Sequence, residues 1–365
     1  MINKIEIVQG NIPVTETDPK AIWRDEFSVQ LYVKITTSDG YEGWGEIFPA
    51  NFLGTYSELA KYLAEKLIGK DEESIMDNWL YLRNLTFRGG YGITSGTISG
   101  FDIALWDIAG KKAKVPLYKL IGGKAKETSR YASLSRYRSE DDIVVVVNGL
   151  LSKGFKGIKL HQSGDTTIPA VRKLRDQLGY SFDLMVDINC FFPPPKAVQF
   201  AKDISKYEVK WIEEPVWPPD DFRALKEINS ILPVAAGENI FSLQEFKKVI
   251  EDEVLSFYQP DVTKLGGITS LLKIMTLLEL NGFRLSFHNR PYNAWIGPVT
   301  SAHLCGAYTG YCLVETPPNG APSSGLKLDF KLSHETIKPG YEPGIGVRPD
   351  MSSNLFSIIH KIENH

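Results

Sequence analysis

Apolar and polar positions alternate with period two through "KIEIVQG", "FSVQLYVKITT" and "YEGWGEIF", which predicts three strands. Ser38-Asp39-Gly40, between the second and third, is a hairpin signal. The period then lengthens. "SELAKYLAEKLIG" and "SIMDNWLYLRNL" carry apolar residues at three-and-four spacing, and "SGFDIALWDIAGKKAKVPLYKLIGG" predicts a long amphipathic helix stopped by Gly and Pro. Strands followed by helices predict a separate α+β module over residues 1–125.

From residue 126 to 320 the pattern becomes short apolar runs separated by helix-length stretches. "SRYASL", "FKGIKLH", "DLMVDIN", "VKWIEEP", "LPVAAGE", "SFYQPDV", "RLSFHNR" and "YCLVETP" predict eight strands, the number a (β/α)8 barrel needs. Most end in a polar or ionisable residue. Lys159, Asp187, Glu213, Glu238, Asp261, His288 and Glu315 follow one another at intervals of 28, 26, 25, 23, 27 and 27 residues, one strand–helix unit per step. A barrel sets all of them on its C-terminal face, where such folds place chemistry. The tail, 321–365, reads as loop-rich with a short amphipathic close and is expected to pack back on the first module.

Composition narrows the partners. The 365 residues carry a formal charge of -3 with no basic stripe, which argues against nucleic acid. Cys190, Cys305 and Cys312 are widely separated and form no CxxC pair, so neither a disulfide framework nor a zinc ribbon is expected and a reducing cytosol fits. No run reaches the ~18 apolar residues that span a bilayer, and the N-terminus lacks a cleavable apolar leader. A soluble cytoplasmic protein without a membrane partner is the expectation.

Asp187, Glu213 and Glu238 end three consecutive predicted strands. Three carboxylates in one mouth repel unless a cation holds them, and all-oxygen ligation favours a hard ion such as Mg2+. Glu214 alternates away, whereas Asn189 shares the side of Asp187 and is a candidate for contact with substrate or a metal-bound water. Lys159 and His161 also share a side; as like charges they are expected to depress each other, freeing one as a base. Asp261 and His288 end neighbouring strands, where a carboxylate can fix an imidazole's tautomer. Glu315 is a candidate for oxyanion stabilisation. Lys264 either contacts substrate or neutralises Asp261, and Gly266-Gly267 has the look of a weak phosphate-type helix start. A metal flanked by bases on two sides suits removal of a proton α to a carboxylate.

As a linked set these motifs resemble the enolase superfamily, and within it the mandelate racemase subgroup, over nearly the whole chain. The resemblance implies an N-terminal α+β capping domain and a modified TIM barrel of (β/α)7β type. It implies Mg2+ on Asp187 in "VDIN", Glu213 in "WIEEP" and Glu238 in "AAGEN", a His288–Asp261 dyad in "SFHNR" and "QPDVTKLGG", and Glu315 in "LVETPP" on the oxyanion side. The subgroup usually shows Lys-x-Lys at the second strand. Here Lys159-Leu160-His161 puts an imidazole in the base position and a lysine where the substrate carboxylate is contacted. Lys159, His161 and His288 all stand as candidates for taking the proton.

What the resemblance implies most often is dehydration of a sugar acid, an aldonate or aldarate, to a 2-keto-3-deoxy acid. The alternative is a racemase or epimerase of a 2-hydroxy acid using the same site. Asn189, Asn289, Arg290 and Asn293 suit a polyhydroxylated substrate, while Trp217, Tyr292 and Trp295 leave an aromatic one open. Cap segments around Trp23 and Arg24, Phe48 to Tyr56 and Arg88 to Tyr91 are expected to select the substrate, with Trp23 and Arg24 as contacts. A homo-oligomer is expected.

Overall fold

The computed structural model describes residues 1–12, 20–22, 28–49, 51–289, 295–322 and 325–364. The three predicted N-terminal strands are Ile2–Asn11, Val29–Thr37 and Glu42–Ile47, paired antiparallel with Ile7 opposite Val33 and Leu31 opposite Ile47. Alternation sends Ile5, Ile7, Leu31, Val33 and Ile35 into a core with Leu63, Leu67, Leu82 and Phe101. Those last four come from helices Leu53–Leu67, Ile75–Thr86 and Ile93–Lys112. Each such side chain withdrawn from water contributes ~1.5–3 kcal/mol.

The third of these helices differs from its sequence pattern. It starts at Ile93 rather than Ser99, ends at Lys112 before a separate turn of helix at Leu117–Leu120, and is buried on nearly every face instead of one. It is sandwiched between the cap sheet and the barrel. On the sheet side, a Cβ added to Gly43 would lie 2.1 Å from the Ala104 carbonyl oxygen, and one on Gly45 1.8 Å from that of Gly100. Only glycine lets helix and strand backbones approach this closely.

The eight predicted barrel strands are Thr128–Ser133, Gly157–Leu160, Asp183–Asp187, Ile212–Glu213, Val234–Ala236, Phe257–Tyr258, Arg284–Phe287 and Cys312–Thr316. All pair parallel to their neighbours, and the eighth closes on the first with Glu315 opposite Tyr131. Helices follow the first seven strands. After the eighth the chain enters the tail, so the architecture is a (β/α)7β barrel with an α+β cap. Tyr131, Met185, Trp211, Ala235, Phe257 and Leu313 form an apolar cluster of their own. Two residues further along the same strands stand Ser133, Asp187, Glu213, Gly237, Gln259 and Glu315.

The tail is not loop-rich. Phe330–Leu332 and Thr336–Pro339 form a hairpin whose second arm joins the first barrel strand antiparallel, with Ile337 opposite Thr128. Leu326–Leu328 pairs with Val347–Pro349, and Phe356–Glu363 becomes the edge strand of the cap sheet beside Ile2–Asn11. His303 fastens this tail internally: its Nδ1 accepts from the Tyr118 amide at 3.2 Å and its Nε2 donates to the Ile345 carbonyl at 3.0 Å. The cysteine expectation also needs correction, because Cys305 and Cys312 are bonded to each other. They face across a helix-to-strand turn only seven residues apart in sequence, a proximity that the spacing alone does not reveal. Among the described residues no helix is long and apolar enough to cross a membrane.

Candidate active site

Strand pairing sets Asp187 directly beside Glu213, and Glu238 follows the next strand by two residues. One oxygen from each of Asp187, Glu213 and Glu238 lies within 4.8 Å of the others. All three are offered by buried or half-buried carboxylates, with no nitrogen or sulfur ligand in the group. Such a donor set fits a hard divalent cation of the magnesium type. Neighbours hold the carboxylates in place. The Asn189 amide and its side-chain Nδ2 both donate to Asp187 Oδ1 at 2.8 Å, while Trp211 Nε1 at 3.1 Å and Gln259 Nε2 at 2.7 Å donate to Glu213 Oε2. Asn189 has a positive φ of 47°, a left-handed turn that carries it over Asp187, and its Oδ1 accepts from Arg136 at 3.3 Å. Sequence reasoning found neither Trp211, Gln259 nor Arg136. The first two could have been read from their period-two register with Glu213 and Asp261.

Lys159 is completely buried among carboxylates. Its ammonium pairs with Glu213, with Glu315 at 2.8 Å and with Asp187 at 3.5 Å. Burial disfavours its charge, but Glu213 and Glu315 outweigh that and hold its pKa well above the ordinary lysine value. The expected mutual depression of Lys159 and His161 therefore fails for the lysine: the acids around it dominate over the imidazole. His161 is the more accessible of the two. Its Nε2 lies 3.0 Å from Asp187 Oδ2, and its Nδ1 has no partner among the described residues.

Across the triad His288 Nδ1 lies 2.7 Å from Asp261 Oδ2 and its Nε2 3.1 Å from Glu238 Oε2. Burial alone lowers the His288 pKa, yet Glu238 and the Asp261 hydrogen bond carry it up to about 9. Asp261 is itself fixed, its Oδ1 accepting from the amide and hydroxyl of Thr263 at 2.7 Å. Glu315, on the strand next to that of His288, is fully buried and accepts from the Asn289 amide at 3.3 Å.

Most of the remaining sequence candidates have partners of their own, and Glu214 faces away as expected. Lys264 pairs with Glu238 at 2.9 Å rather than with Asp261. Glu214 turns away from the triad with φ of 43°, accepts from the Gly237 amide at 3.1 Å, and is pushed up to about 7 by burial and by Glu238. Gly266-Gly267 is no phosphate cradle. The Asp102 carboxylate already occupies that helix start, 2.4 Å from where a Gly267 Cβ would stand. Trp295 is fully buried, stacked on Phe330 at 5.0 Å, and Asn289 Oδ1 accepts from Ser301, so both support structure. Trp217 is 63% exposed at the rim. Trp23, Arg24, Arg290, Tyr292 and Asn293 lie outside the described residues.

A closed parallel barrel carrying three carboxylates on successive strands, flanked by imidazoles from the second and seventh, is a fold and site with relatives. Residues 143–353 match the family model of the enolase C-terminal domain-like proteins, and residues 12–122 that of the mandelate racemase / muconate lactonizing enzyme N-terminal domain. The chain belongs to the enolase superfamily, in its mandelate racemase subgroup, and is sugar-acid dehydratase-like. A D-galactonate dehydratase of Ralstonia nicotianae is 30% identical over 343 residues, 88% of each chain. One from Pectobacterium atrosepticum is 29% identical over 340 residues, 87% of this chain and 88% of its own. Among solved structures, a racemase from Streptomyces coelicolor A3(2) with bound magnesium superimposes with TM-score 0.82 at 25% identity, covering 96% of this chain and 98% of that one. An L-talarate dehydratase from Polaromonas sp. JS666, complexed with Mg and L-glucarate, gives TM-score 0.83 at 24% identity and covers 100% and 99%, a likeness of fold.

Proposed function

We propose that this protein is a Mg2+-dependent hydro-lyase that dehydrates a sugar acid, an aldonate or aldarate, to a 2-keto-3-deoxy acid. The observation that carries the reading is the pair of imidazoles, His161 and the Asp261-bound His288, flanking one carboxylate triad. Its likeness to D-galactonate dehydratases supports the choice of reaction. Asp187, Glu213 and Glu238 would hold the cation. When bound, that ion supplies charge neutralisation for the substrate carboxylate and for the negative charge that builds up as the α-proton leaves.

The chain's own groups divide the remaining work. Lys159, kept charged by its acids, donates to the substrate carboxylate and does not act as base. His161, whose Nε2 faces the carboxylate triad, takes the proton from C2. His288, its other nitrogen held by Asp261, gives a proton to the β-hydroxyl, so that the C3–O bond breaks with loss of water. The resulting enol then becomes the keto acid. Glu315, anchored by Lys159 and the Asn289 amide, lines the oxyanion side.

A panel of aldonic and aldaric acids, D-galactonate included, assayed with Mg2+ for 2-keto acid formation tests the function. His288→Asn should stop keto-acid formation, with turnover reduced at least ~100-fold, while C2 hydrogen still exchanges with deuterated water with retention of configuration. Loss of exchange and product together would make His288 the abstracting base. Inversion at C2 with no keto acid from any sugar acid would replace the dehydratase by the racemase reading.

A further inference from the structure

The cap helix Ile93–Lys112 presents a polar stripe to the barrel at positions 95, 99, 102 and 106, spaced so that all share one helix face. Every member bonds to one of two barrel segments. Ser95 Oγ donates to the Phe241 carbonyl at 3.0 Å, Ser99 Oγ accepts from the Gly266 amide at 2.8 Å, Asp102 Oδ2 accepts from the Thr269 amide at 2.9 Å, and Trp106 Nε1 donates to Thr269 Oγ1 at 3.0 Å. From the second cap helix, Trp79 Nε1 donates to the Gly266 carbonyl at 2.9 Å. Both polar groups of the Gly266 backbone are thus held by the cap. The segments so gripped flank site residues. Phe241 follows Glu238 by three positions, and Gly266 follows Lys264 by two.

Between these anchors Lys264 is tightly bracketed. Upstream, the amides of Lys264 and Leu265 donate to the Asp261 carbonyl at 3.1 Å each. Downstream comes the left-handed Gly266, with φ of 89°. The ammonium sits between the rings of Phe48, from the cap, and Phe241, at 5.4 and 5.6 Å, and reaches Glu238 Oε2 at 2.9 Å. An interface needed only for cohesion would be satisfied by apolar contact. Here buried hydroxyl, indole and carboxyl groups are directed at the backbone of one short turn.

We propose that Ser99 and Trp79 are positioning residues of the cap that hold Lys264 over Glu238, so that cap and barrel share the placement of one site cation. The kinetic consequence rests on the dehydratase reading; the placement itself does not. The test compares Ser99→Ala and Trp79→Phe, each of which removes one bond to Gly266, in the Mg2+-loaded full-length protein. Acetic anhydride labelling of individual lysines, read by mass spectrometry, should rise roughly tenfold at Lys264 in both variants, the scale of one lost buried hydrogen bond, and stay unchanged at Lys159. Ser99→Thr, which keeps the hydroxyl, should restore protection. On a turned-over acid, both variants should lose roughly tenfold in kcat with KM nearly constant, and neither should lose anything further once Lys264 is replaced by Met. Unchanged Lys264 labelling, or a parallel rise at Lys159 that marks general loosening, overturns the proposal. Equal kcat losses with and without Lys264 overturn it as well. If no sugar acid is turned over by the unmodified enzyme, the dehydratase reading fails while the labelling still decides the placement.

Discussion

Two adjacent layers of the barrel interior could hardly differ more. The lower one, Tyr131, Met185, Trp211, Ala235, Phe257 and Leu313, is apolar and close-packed, with Trp211 4.7 Å from Phe257 ring to ring. One pleat higher, the same strands supply Ser133, Asp187, Glu213, Gly237, Gln259 and Glu315 around the Lys159 ammonium. A step of two residues carries the barrel from a stability layer to a chemistry layer. The lower layer does more than fill space, since the Trp211 indole donates upward to Glu213. A charged layer is tolerable because it stands on a close-packed apolar floor.

The sharpest break of this contrast pairs one substitution from each layer. Glu213→Gln should cost the enzyme several kcal/mol of transition-state stabilisation, roughly 1,000-fold in turnover, with unfolding free energy little changed. Phe257→Ala should do the converse, losing ~3–5 kcal/mol of stability to urea while the surviving folded protein keeps most of its turnover. Equal effects on both quantities in both variants would erase the distinction between the layers. Isothermal titration with Mg2+ should further show affinity lost in Glu213→Gln and largely kept in Glu214→Gln.

Away from the site, His303 titrates against burial rather than against charge. Burial pushes the His303 pKa down to about 4 from the ordinary 6.5. The unfolded chain therefore binds its proton near pH 6.5, whereas the native protein resists until about 4. Stability should fall as pH drops through that window, by about 3 kcal/mol from this group, and be fully retained above it. Urea midpoints at pH 7.5 and 4.5 check this: His303→Gln should lose less on acidification than the unmodified protein. An identical loss would rule out His303 as the sensor. The smallest effect belongs to the orienting shell. Asn189→Ala should weaken Mg2+ binding by ~10–100-fold, because Asp187 Oδ1 loses the side-chain donor and keeps only the backbone amide of residue 189. Unchanged affinity would reduce Asn189 to a turn former.

The barrel and its mouth were legible because strand alternation and the strand–helix repeat are local signals: Asp187, Glu213 and Glu238 converge as their spacing demanded. What stayed hidden was partner choice. Lys159 looked like half of a cationic pair with His161, yet the strands bring Glu213 and Glu315 closer to it than the sequence order suggests. Lys264 found Glu238 instead of Asp261 for the same reason. Asp102 within "SGFDIALWDIAG" passed as the polar side of an amphipathic helix. Only a barrel on one side and a sheet on the other make it a buried carboxylate, raised to about 7 by desolvation. Four of the tail strands escaped because each is only three or four residues long, and Thr336–Pro339 and Phe356–Glu363 are fixed in the barrel and cap sheets by partners more than 200 positions away.

The glycine seam between the cap strand Glu42–Ile47 and the helix Ile93–Lys112 sets a boundary on how this protein can diversify. Exposed rim residues such as Trp217 can be exchanged one at a time without moving backbone. Gly43 and Gly45 have no such freedom, because any side chain there displaces the helix backbone. That helix carries Ser99 and Asp102 on its far face, so the displacement would arrive at Gly266 and Thr269 beside the site. Mutational drift is thereby open at the rim and closed along the seam, where a single methyl group on the cap is felt some way off in the barrel.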